Sequence, residues 1–263
     1  MDLGIAGRVA LVAASSKGLG RAVAEELAAE GAHLLMCARG EAVLSEAVAS
    51  ADARGPGDVV GIPADLSDPV AVAGLAEAAT ARFGRVDILV NNAGGPPAGK
   101  FEDHDRAAWK AAVRLNLESA LDLARALLPG MKERGWGRIL NITSVAAKEP
   151  EADLILSNSV RAAVTGFAKS LSNEVAAYGV TVNNVLPGFT RTARLEQLAA
   201  VRAEAGGIST DEVEAGWHAA IPAGRLGDPR EFAAVVAFLA SERASYVTGV
   251  SIAVDGGRTR SLQ

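Results

Sequence analysis

Residues 8–20 read RVALVAASSKGLG, and the reading of this stretch decides the fold. From Val9 to Ala14 the run is continuously apolar, the pattern of a strand buried on both faces rather than on one. It breaks into Ser15-Ser16-Lys17-Gly18-Leu19-Gly20, and an alanine-rich helical segment over 19–30 follows. A strand, a glycine-bearing turn and a helix N-terminus, in that order, bring unpaired backbone N–H groups and the helix dipole to one point and favour a phosphate there. Glycine lets the backbone approach such a group closely. The turn lacks the full Gly-x-Gly-x-x-Gly spacing, so its meaning rests on what surrounds it.

Outward from this unit the pattern repeats. Further short β-type runs stand at 33–38, 59–63, 86–92, 137–144, 180–188 and 250–257. Between them lie helical segments at 41–53, 70–83, 105–134, 158–178 and 229–240. Mostly continuous apolar strands alternating with helices predict an α/β fold: one Rossmann-type, doubly wound, seven-stranded parallel sheet in a single domain over 1–263. One irregular stretch, 189–227, interrupts the alternation before the last strand. In a doubly wound sheet such an excursion stands beyond the carboxyl ends of the strands, where ligands bind, so a substrate lid is expected there.

Composition narrows the partners. The formal net charge is −5, with no basic run, which argues against nucleic acid. No apolar run reaches the roughly 18 residues of a spanning helix, and the N-terminus MDLGIAG lacks the basic start of a signal peptide. The single cysteine, Cys37, excludes disulfides within the chain and fits a reducing compartment. A cytoplasmic protein is expected. Cys37 reads as a small buried residue. The three scattered histidines, His33, His104 and His218, make no metal-ligand pattern, and no metal is expected.

Several motifs stand in a recognisable order. They are Gly18 and Gly20 in the turn, Asp65-Leu66, Asn91-Asn92-Ala93-Gly94, Asn116 in RLNLES, Ser144 in NITS, Pro187-Gly188 with Thr192, and the closing VTG and VDGG. In these the chain resembles the short-chain dehydrogenase/reductase family, single-domain type, over nearly its whole length, and most of all its 3-oxoacyl-carrier-protein reductase branch. It departs from the family's Thr-Gly-x-x-x-Gly-x-Gly turn by carrying Ala13 and Ala14 at the first two places. The resemblance implies cofactor contacts from Ser15, Ser16, Lys17, Gly18, Leu19, Gly20, Arg39, Asp65, Leu66, Asn92, Ala93, Gly94, Pro187, Gly188 and Thr192. It also implies a homotetramer paired through the helices at 105–134 and 158–178 and through the last strand.

Cofactor choice follows from charge. An acid at the end of the second strand would hold the ribose hydroxyls of NAD and repel a 2′-phosphate. Ala38 stands there and Arg39 follows, with Lys17 as a second cation. Two cations and no acid favour NADP(H).

The family's catalytic pair is absent. The resemblance places Tyr-x-x-x-Lys over Ser157-Asn158-Ser159-Val160-Arg161, while Ser144 and Asn116 keep their family places. Catalytic roles are therefore expected for Ser144, Asn116, Ser157 and Arg161, the last also toward the cofactor ribose. Arginine keeps its proton, with a pKa above roughly 12. A serine hydroxyl is a far weaker acid than a phenol, whose pKa is near ~10. Losing general acid help typically costs ~10²–10⁴-fold, which slows hydride transfer without abolishing it. Neither Tyr178 nor Tyr246 substitutes from its place in the chain. Lys148, Glu149, Glu151, Asp153 and His218 read as ordinary loop or lid residues before catalysts. Two functions are carried: an NADP(H)-dependent oxidoreductase acting on a carbonyl or its alcohol with an atypical site, and an NADP-binding pseudoenzyme or non-redox lyase or isomerase on the same fold. Halohydrin dehalogenases share the fold and the arginine, but they keep the tyrosine and lose the cofactor turn, the reverse of this chain.

Overall fold

A computed structural model describes residues 2–262. Seven parallel strands form one sheet in the order β3-β2-β1-β4-β5-β6-β7, which is the predicted architecture. They are β1 (Val9–Val12), β2 (His33–Ala38), β3 (Val59–Pro63), β4 (Ile88–Asn91), β5 (Gly137–Ile142), β6 (Val180–Pro187) and β7 (Ser251–Val254). The strand order reverses direction of growth between β1 and β4, and the crevice outside that point is where such sheets bind ligands.

The period of two in each strand divides the core. Val12, Met36, Val90, Leu140 and Val185 face one layer, closed by α1 (Gly18–Ala29), α2 (Glu41–Asp52) and α9 (Pro229–Ala240). Leu11, Leu35, Cys37, Leu89, Ile139 and Val182 face the other, closed by α3 (Pro69–Phe83), α5 (Ser119–Glu133) and α6 (Ile155–Val175). Both faces of the central strands are covered, which is why their sequences are apolar without alternation. The edge strands differ: β3 and β7 are only partly buried. Cys37 is buried, and burial raises its thiol to about 11.

Two segments depart from the sequence expectation. The stretch 189–227 is mostly helical, with α7 (Ala193–Gly206) and α8 (Thr210–Ala220) packed on each other through Leu195, Ala199, Val213 and Trp217. Their starts are fixed by Thr192 and by the capping box of Ser209 and Glu212. The helix expected over 105–134 is two, α4 (Arg106–Val113) and α5, joined by a wide π-turn over Arg114–Glu118. No helix among the described residues is long and apolar enough to cross a membrane.

Candidate active site

The glycine turn is built by steric necessity. A Cβ on Gly20 would lie 2.4 Å from the Ala14 carbonyl oxygen and 2.6 Å from Asn92 Nδ2. Asn92 Nδ2 donates to that same carbonyl at 3.1 Å, so Asn92 ties the end of β4 to the turn. Ser15 is fully buried; its hydroxyl donates to the Val12 carbonyl at 2.9 Å and accepts from the Cys37 amide at 3.2 Å. Ser15 therefore anchors the turn to β2. Ser16, Lys17 and Leu19 stay at least partly exposed. The N-terminus of α1 has no side-chain cap, whereas α3, α4, α7, α8 and α9 are capped by Asp68, Asp105, Thr192, Ser209 and Asp228. The first-turn amides of α1 are open to an anion. The N-terminus of α2, one residue past exposed Arg39, is uncapped as well.

Beside it, Asp65 accepts from the Ser67 amide and hydroxyl at 2.9 and 2.8 Å. Those bonds, with a lesser contribution from Arg39, hold its carboxyl below the ordinary range. Leu66 is buried. Ala93 is half-buried and Gly94 exposed at the carboxyl end of β4.

Across the sheet runs a row of polar side chains that the sequence reading did not single out. Asn91 Nδ2 donates to Asn141 Oδ1 at 2.9 Å, Asn141 Nδ2 to Asn184 Oδ1 at 3.1 Å, and Asn184 Nδ2 to Ser251 Oγ at 3.1 Å. The four are register partners on β4, β5, β6 and β7. The row ties four neighbouring strands together at one level, at the carboxyl ends of β4 and β5, and Ser144 stands just beyond the end of β5.

Ser144 follows β5 and caps a short 3₁₀ turn, Val145–Ala147; its Oγ accepts from the Ala146 amide at 3.1 Å. Among the described residues the hydroxyl proton has no acceptor, so it can donate. Asn116 lies in the π-turn, where the widened backbone turns it inward; its Nδ2 donates to the Ala112 carbonyl at 3.2 Å. Ser157 stands in the first turn of α6, half-buried, and its hydroxyl makes no hydrogen bond among the described residues.

Arg161 is placed differently from the expectation of a ribose ligand alone. It is buried, with Nη1 donating to the Ile142 carbonyl at 2.6 Å and Nη2 to the Ala93 carbonyl at 3.3 Å. It clamps the carboxyl ends of β5 and β4. Burial first, then the charge of Arg194, pushes its pKa down to about 10, so it remains a cation at neutral pH. Asn91, Asn116 and Arg161 line one small cavity of about 10 Å³, the size of a single water. Each carries a buried polar atom without a partner among the described residues: Asn91 Oδ1, Asn116 Oδ1 and Arg161 Nε.

After β6, Gly188 passes so close to Asp255 that a Cβ would lie 2.5 Å from the Asp255 Cβ, which explains why Pro187-Gly188 and VDGG occur together. Thr192 faces Gly18, with its methyl 3.5 Å from where a Gly18 Cβ would stand. Its hydroxyl donates to the Thr190 carbonyl and accepts from the Leu195 amide, both at 3.3 Å.

Two of the substitute acids, Glu149 and Glu151, are committed elsewhere. Glu149 accepts from the Arg260 and Ser261 amides at 2.6 Å, and Glu151 pairs with Arg258 and, at 3.5 Å, with Arg202 of α7. These bonds tie the loop after β5 to the C-terminal segment. Asp153 adopts a left-handed backbone, φ 57°. His218 lies on α8 and does not line the cavity. Among the described residues no group of three His, Cys, Asp or Glu could hold a metal.

Residues 13–259 match the family model described as enoyl-(acyl carrier protein) reductase. The chain is 39% identical over 255 residues to the 3-oxoacyl-[acyl-carrier-protein] reductase FabG of Vibrio cholerae serotype O1, covering 97% of this chain and 98% of that one. Among solved structures it superposes on L-sorbose reductase from Gluconobacter frateurii complexed with NADPH and L-sorbose, with a TM-score of 0.94, 34% identity and full coverage of both chains. It also superposes on the F189W actinorhodin polyketide ketoreductase with NADPH, with a TM-score of 0.93 and 33% identity over 97% of this chain and 98% of that one.

Proposed function

The chain belongs to the short-chain dehydrogenase/reductase family, and from that premise we propose that it is an NADP(H)-dependent oxidoreductase that reduces a carbonyl or oxidises the matching alcohol. One observation carries the reading: an uncapped α1 N-terminus and Ser144, whose hydroxyl proton has no acceptor among the described residues, both stand at the carboxyl edge of the sheet.

The residues present fit the cofactor. The first-turn amides of α1 would take the diphosphate, and Gly20 keeps the turn tight enough for it. Arg39, the uncapped α2 and Lys17 suit a 2′-phosphate, with Ala38 offering no opposing acid. NADPH, when bound there, would supply the hydride. Ser144 donates to the carbonyl oxygen, polarising it and stabilising the negative charge that develops there. Arg161 adds a fixed positive charge and holds the strand ends in register. Asn116 and the small polar cavity can order a water, and the proton at the substrate oxygen comes from water, relayed by Ser157.

A second reading remains in play, an NADP-binding protein without a redox step. Ser157 in place of a phenol and the binding of Arg161 to backbone carbonyls favour it. A homotetramer, residence in the cytoplasm and a lid formed by α7 and α8 belong to the same proposal as the reductase. The partly buried apolar edge of β7 supports the first of these.

The test is cofactor consumption. NADPH should bind more tightly than NADH in a fluorescence titration and should be oxidised in the presence of activated ketones, diketones or quinones. Tight NADPH binding with no oxidation by any carbonyl would favour the second reading. Equal or tighter NADH binding would overturn the cofactor assignment.

A further inference from the structure

Arg161 and Arg194 hang on one short loop. Arg161 Nη2 donates to the Ala93 carbonyl and Arg194 Nη2 to the Pro96 carbonyl at 2.9 Å. Two guanidinium groups are thus fixed three residues apart on the segment that leaves β4. Neither has a carboxylate partner among the described residues. The acids of the neighbouring loop are engaged: Glu149 with the amides of the C-terminal segment, Glu151 with Arg258 and Arg202. Arg161 is buried, with both terminal nitrogens on carbonyls. Arg194 is the accessible one. It stands in the first turn of α7, two residues past Thr192, and lies over Gly95, where a Cβ would be 3.2 Å from its Nε. Gly95 makes room for it. One of its five N–H groups is committed, and the rest include a pair that can bind a carboxylate side by side.

We propose that Arg194 is a specificity-determining residue that binds a carboxylate next to the reacting carbonyl, so that the substrate is a short-chain oxo acid. This rests on the reductase reading above. An oxo acid, NADPH and a proton would give the hydroxy acid and NADP⁺: hydride goes to the carbonyl carbon, and the proton from water goes to its oxygen. A carboxylate on the substrate would neutralise a cation that the protein leaves without one, and neutral ketones would leave it unpaired. A carrier-tethered substrate also brings an anion, its phosphodiester, but many bonds away from the carbonyl.

Calorimetry on the protein saturated with NADP⁺ tests this, with oxamate as a non-reducible acid and ethyl oxamate as its neutral counterpart. Oxamate should bind about tenfold or more tightly than the ester. Arg194→Met and Arg194→Gln should lose that difference, Arg194→Lys should keep part of it, and all three should bind NADPH as the wild type does. Equal binding of acid and ester, or undiminished oxamate binding by Arg194→Met, would overturn the proposal. So would a loss of NADPH affinity in these variants without any effect on oxamate, since Arg194 would then serve the cofactor. It would also fall if only a 4′-phosphopantetheine thioester, and not oxamate, depended on Arg194. Failure of the reductase reading looks different: Arg194-dependent oxamate binding would persist, with no NADPH oxidation by any oxo acid.

Discussion

Ala14 turns left-handed, at φ 47°, a conformation that suits glycine and strains other residues. It occupies the place where the family turn carries glycine, and the backbone keeps the glycine shape regardless. Its carbonyl takes the Asn92 bond and presses on Gly20. Ala14→Gly should therefore be neutral to stabilising, by up to ~1 kcal/mol, since relief of strain is partly offset by the extra freedom of the unfolded chain. Gly20→Ala should do the opposite: the turn must open, and NADPH affinity should fall while the fold, followed by circular dichroism, persists. At this scale the sequence was informative. Gly18, Gly20, Asn92, Ser144 and Asn116 all stand along the carboxyl edge of the sheet. Arg194 was missed because nothing local marks an arginine in a helix's first turn. Its role comes from Pro96, 98 positions away.

Among the elements, the strands were legible because burial on both faces leaves little choice of residue type. The asparagine row was not. Asn91 belongs to the Asn-Asn-Ala-Gly motif, Asn184 to an Asn183-Asn184 pair, and Asn141 stands alone between Leu140 and Ile142; nothing local links the three, and only parallel register brings them together. Asn141 sits in the middle of the row and makes two of its bonds. Asn141→Ala should strand the Asn91 amide and the Asn184 carbonyl in the core, each worth ~1–3 kcal/mol; chemical denaturation checks the loss. Helices α7 and α8 escaped notice because their apolar faces cover only a small satellite core, although the Ser209 and Glu212 capping signal was present in the sequence. The start of α9 offers a test by pH. Arg225 forks onto Glu231 at 2.7 and 2.6 Å, and that pair, with the Asp228 amide, lowers the Glu231 carboxyl from 4.5 to about 2. A carboxylate depressed in the folded state adds stability above its unfolded pKa and loses it as pH falls toward the folded value. The difference in melting temperature between wild type and Glu231→Gln should therefore be present at neutral pH and shrink between pH 4.5 and 2.

For the molecule as a whole, the two core layers make one platform, and the candidate catalytic residues stand at its carboxyl edge. The apolar β7 edge and exposed Phe101 and Phe238 are surfaces that a second copy would cover, and light scattering should report an assembly larger than the 26.8 kDa chain. A stable monomer at micromolar concentration would contradict this. On the proposed reading Ser144 drives carbonyl reduction without a tyrosine acid, and NADPH oxidation by four proteins decides it: wild type, Ser144→Ala, Ser157→Ala and the double variant Ser157→Tyr/Arg161→Lys. Losing one oxyanion donor typically costs ~10²–10³-fold, so Ser144→Ala should lose activity by about that factor, with Ser157→Ala losing less. Turnover by the Tyr/Lys variant alone, with wild type inactive on every carbonyl that variant reduces, would contradict the account.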